Sequence, residues 1–81
     1  MIIGIDVGST TTKAVSIEDE KLTRKVKIMA SDAVAAATGA FGKIVLENNI
    51  AINAVSGIKI TGAGSSKIKN DIFGIPTTRV N

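Results

Sequence analysis

At 81 residues, 44% hydrophobic and 2% aromatic, the chain has room for one small domain with an Ile/Val/Ala core, and its apolar content argues against disorder. It contains neither cysteine nor histidine, so disulfides and cysteine-ligated metal are excluded from this segment and a zinc site is not expected. The net charge of +3 is spread along the chain rather than clustered with aromatics, which points away from nucleic acid, and with no membrane-length apolar run and no basic leader the expected compartment is the cytoplasm.

The chain opens on Ile-Ile-Gly-Ile-Asp-Val-Gly-Ser-Thr-Thr-Thr-Lys, residues 2–13. Ile2, Ile3, Ile5 and Val7 have the bulk and β-branching of a buried strand. Gly8 and Ser9 provide a tight turn, and residues 12–17 alternate polar with apolar, so a second strand is expected to return antiparallel. The turn is rich in donors: the amides of Gly8 to Thr11 and the hydroxyls of Ser9, Thr10 and Thr11 suit phosphate oxygens, and Gly8 would let the backbone approach them. Asp6, at the end of an apolar strand, needs a cation, a water-bridged metal or nearby donors. A magnesium ion carried by a nucleotide would meet that need, with Lys13 adding positive charge if its strand faces the same cleft. The alternative is a hairpin with a polar turn, in which Asp6 caps its own loop amides.

A polar turn at Glu18-Asp19-Glu20-Lys21 leads to a third strand over residues 23–29, completing an antiparallel meander. Its Arg24, Lys25 and Lys27 read either as an anion-binding patch or as a solvated, edge-guarding face. Ser31 or Asp32 can cap a helix that ends at Asn48 or Asn49, with Val34, Ala37, Phe41, Ile44 and Val45 at helical spacing. Gly39 and Gly42 within it predict close packing against another element or a weak helix. After a connection over residues 50–55, residues 57–61 read as a fourth strand, parallel to its neighbour because a helix precedes it.

Gly62-Ala63-Gly64-Ser65-Ser66-Lys67 is then either an anion or substrate site at a helix start, or an ordinary turn with Ser65 as cap. A short helix over residues 66–73, stopped at Gly74 ahead of Pro76, and a fifth strand over residues 77–80 complete the expected order βββαβαβ, an α/β fold with a mixed sheet.

Two of these segments carry a family resemblance. Asp6-x-Gly8-Ser9-Thr10-x-x-Lys13 between two strands resembles the first phosphate loop of the actin, sugar-kinase and Hsp70 ATPase superfamily, and the element order is that of a ribonuclease H-like, actin-like half-lobe. The resemblance implies ATP and Mg2+ as cofactors, with Asp6 orienting the metal through water and Gly8, Ser9, Thr10, Thr11 and Lys13 binding the β and γ phosphates. Such enzymes have two lobes, so this chain is expected to be the amino-terminal part of one, inactive alone.

Ile60-Thr61-Gly62-Ala63-Gly64-Ser65-Ser66-Lys67 with Asn70-Asp71-Ile72-Phe73 resembles a segment of type II, eukaryotic-like pantothenate kinases. It implies phosphorylation of pantothenate in coenzyme A biosynthesis, Gly62 and Gly64 on the substrate side, and a general-base glutamate just beyond Asn81. Gly8-Ser9-Thr10 departs from the Gly-Gly-Thr usual in those kinases and is commoner in sugar kinases and in the activator ATPases of 2-hydroxyacyl-CoA dehydratases and benzoyl-CoA reductases, which are the alternative. A non-catalytic actin-like binding or assembly module is the other. Open strand edges make a homodimer the expected assembly.

Overall fold

The computed structural model describes residues 1–80. Five strands form one sheet, β1 (Ile2–Val7), β2 (Thr11–Glu18), β3 (Lys21–Met29), β4 (Gly57–Thr61) and β5 (Thr77–Arg79), in the order β3-β2-β1-β4-β5, with the helix α1 (Ala33–Glu47) between β3 and β4. β1 is central, antiparallel to β2 and parallel to β4, and β5 adds parallel to β4. The expected meander and the parallel return after the helix are both present.

The pleat of β1 decides what faces what. Ile3, Ile5 and Val7 are buried with α1 and the inner residues of β2 and β4, while Ile2, Gly4 and the exposed Asp6 alternate onto the opposite face. The β2–β3 hairpin closes at Asp19 and Glu20, both at positive φ (51° and 65°), the backbone that matches a two-residue turn to the strand twist.

Asp32 is the cap of α1: its Oδ2 accepts from the Ala35 amide at 2.8 Å. The buried stripe is Ala33, Ala36, Ala37, Ala40, Phe41, Ile44 and Val45, whereas Val34, expected on this face, is exposed. Four alanines in the stripe let the helix lie close to the sheet. Gly39 is part of that approach, because a Cβ there would sit 3.1 Å from Ile28 Cδ1 on β3. Gly42 is not, since a Cβ there would meet nothing within 4 Å. Gly42→Ala is therefore expected to stabilise the protein by about 0.5–1 kcal/mol through lower chain entropy in the unfolded state, read as a higher urea midpoint at unchanged slope. The helix ends at Asn48, with Asn49 left-handed (φ 52°) and the Ile50 amide donating to the Val45 carbonyl at 2.9 Å.

The helix expected over residues 66–73 does not form. A single 3-10 turn, Ser65–Lys67, is followed by an irregular segment that folds back at Phe73 and Gly74, both at positive φ, with Ile72 bridged to Ile75. Side chains take the groups a helix would have used. The Asp71 carboxylate accepts from the Thr77 amide at 2.9 Å, and the Thr77 hydroxyl accepts from the Ile72 amide at 3.0 Å while donating to the Ile75 carbonyl at 2.9 Å. Ile72 and Ile75 both enter the core this way, a burial that one short helix with Gly74 and Pro76 at its end could not give.

Candidate functional site

The carboxyl ends of the central parallel pair, β1 and β4, are where the chain's polar turns meet. Asp6 is opposite Lys13 in the β1–β2 ladder and opposite Thr61 in the β1–β4 ladder, so the three share the sheet face that α1 does not cover. There Asp6, Lys13 and Thr61 border a groove of about 370 Å³ floored by Gly4, Val15, Ile17 and Val80. Asp6 is exposed, and among the described residues its carboxylate accepts no hydrogen bond. The alternative in which Asp6 caps its own loop amides is thus corrected, since among the described residues no loop amide donates to it. Pleating turns its side chain away from the core into open space.

The turn after β1 is closed by the Gly8 amide, which donates to the Thr11 carbonyl at 3.0 Å. That amide is consequently not free for a ligand. Glycine is required here for an internal reason, because a Cβ at Gly8 would lie 2.5 Å from the same carbonyl oxygen. The Thr10 carbonyl accepts from the Ala30 amide at 3.2 Å, which ties the turn to the start of α1. Among the described residues the amides of Ser9 and Thr10 have no such backbone partner, and both residues are exposed. These two amides, with the hydroxyls of Ser9 and Thr10 and the half-buried Thr11, are the donors the turn presents.

The second glycine turn packs against the end of β1. The Gly64 amide donates to the Val7 carbonyl at 2.8 Å, and the Gly62 carbonyl accepts from both the amide (3.0 Å) and the hydroxyl (2.7 Å) of Ser65. Gly62 has φ +96°, and a Cβ there would sit 2.5 Å from Asp6 Oδ1 and from the Val7 carbonyl oxygen. Gly64 is equally confined, 2.7 Å from Val7 Cγ1 by the same measure. On the α1 side of the strand ends, Gly8, Ser9, Ser31, Ala33, Ala63, Gly64 and Lys67 line a recess of about 190 Å³. A wider depression of about 620 Å³, at the opposite end of β1 beside Met1 and Glu18, has no such convergence of turn donors.

The expected site residues therefore lie together at one end of the sheet but divide between its faces: Asp6 and Lys13 on the open face, Gly8, Ser9 and Gly64 at the recess, with Gly62 against the Asp6 carboxylate. Ser31 read in the sequence only as a candidate helix cap, Lys67 only as the end of the second glycine turn, and Thr61 was given no place at the site; its position beside Asp6 needs the β1–β4 register.

No family model and no curated protein matches the sequence. Solved structures do match the fold. The activator of the 2-hydroxyisocaproyl-CoA dehydratase from Clostridium difficile, with bound ADPNP, superposes with a TM-score of 0.77 at 18% identity, covering 98% of this chain and 28% of that one. Component A of the (R)-2-hydroxyglutaryl-CoA dehydratase of Acidaminococcus fermentans gives 0.76 at 19% identity, covering 98% and 29%. The fold is that of an actin-like ATPase half-lobe. This half-lobe spans less than a third of the length of either neighbour.

The expectation of a pantothenate kinase is corrected by the same match. The two structures just named, each covering 98% of this chain, are a dehydratase activator and a dehydratase component A. The segment that carried the kinase resemblance also lacks the helix expected after it, having a 3-10 turn at Ser65–Lys67 and a side-chain-bonded fold-back instead. With that correction go pantothenate as substrate and coenzyme A biosynthesis as context; the general-base glutamate lies outside the described residues.

Proposed function

We propose that this half-lobe is the phosphate-binding part of an ATP-hydrolysing protein of the dehydratase-activator kind, in which hydrolysis is coupled to a partner enzyme rather than to phosphorylation of a small alcohol. The observation that carries the reading is the match over 98% of the chain to an activator with bound ADPNP. The donor set at the end of β1 supports it. Asp6 is a single exposed carboxylate opposite a lysine, and nothing in the protein competes for its oxygens among the described residues. Such a group suits a magnesium ion that arrives with nucleotide phosphates and keeps its waters.

In this reading the bound Mg2+ would neutralise phosphate charge and polarise the bond to the departing phosphoryl group. Asp6 would accept hydrogen bonds from the metal's waters and so fix the ion's position. The free amides of Ser9 and Thr10 and the hydroxyls of Ser9, Thr10 and Thr11 would donate to the β and γ phosphates, with the Lys13 ammonium beside them. Gly62, lacking a side chain, keeps the space beside Asp6 Oδ1 open. Catalysis of this kind is positioning and charge neutralisation, achieved by groups held on the ends of strands.

Because the chain spans less than a third of either neighbour, the test is made on the full-length polypeptide. Magnesium-dependent ADP release without any added phosphoryl acceptor is expected, reduced about a hundredfold in Asp6→Asn, the size of effect seen when one preorganised electrostatic contact is removed. Release that requires an added alcohol would overturn the reading. Absence of nucleotide binding would leave a non-catalytic actin-like module as the better account.

A further inference from the structure

We propose that Arg79, on the edge strand β5, is a positioning residue for the second glycine turn, holding Gly62 against Asp6 through a buried hydroxyl relay. The relay has three members. Arg79 Nε donates to Ser65 Oγ at 3.1 Å, and Ser65 Oγ donates to the Gly62 carbonyl at 2.7 Å. Ser65 is 2% exposed, so its hydroxyl has no water to turn to, and its position is set by the two groups it bridges.

Among the described residues, two hydrogen bonds tie the turn to other elements. On one side the Gly64 amide is bonded to the end of β1. On the other, Ser65 is bonded to Arg79, one residue before the Val80 amide that donates to the Ile60 carbonyl of β4. Between these anchors lies Gly62, left-handed and so close to the end of β1 that a Cβ there would meet Asp6 Oδ1 and the Val7 carbonyl. Losing the β5 anchor leaves Ser65 Oγ held only through the Gly62 carbonyl to which it donates, so the turn is no longer tied to β5. A residue fourteen positions along the chain from Ser65 thereby controls the geometry beside the acid that the proposed function assigns to the metal. The consequence for nucleotide rests on that proposal; the clamp itself does not.

The side chains available for substitution separate donor from charge. Glutamine places Nε2 the same number of bonds from the backbone as arginine Nε, so Arg79→Gln keeps a donor for Ser65 without the charge. Methionine places a methyl group there, so Arg79→Met keeps length without a donor. Amide hydrogen exchange of the 81-residue chain is the first readout. In Arg79→Met the Gly64 and Ser65 amides are expected to exchange about tenfold faster, the scale of one lost hydrogen bond to a charged group, while the amides of α1 keep their protection. Ser65→Ala should reproduce that change, Arg79→Gln should stay at the wild-type rate, and the Ser65→Ala, Arg79→Met double variant should add nothing further. Unchanged exchange in Arg79→Met, or equal acceleration throughout the chain, would overturn the clamp. Magnesium–ADPNP titration of the full-length protein is the second readout, with several-fold weaker binding expected in Arg79→Met and rescue in Arg79→Gln. Loosened exchange at Gly64 with unaltered nucleotide affinity would keep the clamp and overturn its bearing on the nucleotide site.

Discussion

Replacing Gly62 by alanine is expected to destabilise the protein by about 3 kcal/mol, the sum of placing a side chain in the left-handed region and of forcing a contact into packed backbone. Both terms are present at once: φ is +96°, and the new methyl would lie 2.5 Å from the Val7 carbonyl oxygen, 2.5 Å from Asp6 Oδ1 and 2.8 Å from the Val7 amide nitrogen. Two of those atoms are backbone of the central strand, which is paired on both edges and cannot move aside without breaking a ladder. Urea denaturation measures the loss as a lowered midpoint at constant slope. A change below about 0.5 kcal/mol, the scatter of neutral substitutions, would mean that the end of β1 yields. Because the methyl also displaces the Asp6 carboxylate, the same variant in the full-length protein should bind magnesium–nucleotide more weakly than its stability loss explains.

Phe41→Ala should cost about 3–5 kcal/mol. Phe41 is fully buried at the middle of the α1 stripe, and its ring packs 5.6 Å from that of Phe73, which covers it from outside. For a domain of this size the whole stability is about 4–12 kcal/mol, so the variant is expected to lose its cooperative thermal transition or to show it far below that of the parent. Phe73→Ala should cost much less, since that ring is 63% exposed. If the two variants melted together, the Phe41 pocket would have to be collapsing around the cavity rather than keeping it.

Much of the architecture could be read from local pattern. The alternation of Ile3, Ile5 and Val7, the polar turn at Asp19 and Glu20, the cap at Asp32 and the asparagines at the end of α1 are each signals carried within a few residues, and each element formed close to its expected bounds. The Gly-Ser-Thr turn between two strands was legible for the same reason. What composition did not carry was the face each residue takes and the bonds it makes within its own turn. Asp6 sits among apolar residues, yet a strand has two faces and only one of them meets α1, so its carboxylate lies on the exposed face. Gly8 looked like an opening for a ligand, yet it first serves the bond that closes its own turn.

The stretch from Ser65 to Pro76 failed differently. Its residues permit a short helix, and nothing local says that the Asp71 carboxylate will accept from the Thr77 amide six positions on and that Ile72 and Ile75 will enter the core. Burial of two isoleucines outweighed the modest gain of two helical turns.

By itself, then, the sequence determined the strands, the helix and the two glycine turns, because strand and helix periodicity and turn chemistry act over a few residues. Only the tertiary structure decided that the turns meet at one end of β1, that Lys13 and Thr61 flank Asp6 on the uncovered face, and that Arg79 reaches Ser65. Those relations depend on ladder register and on which face each pleat presents, and both are set by contacts between residues far apart in the chain.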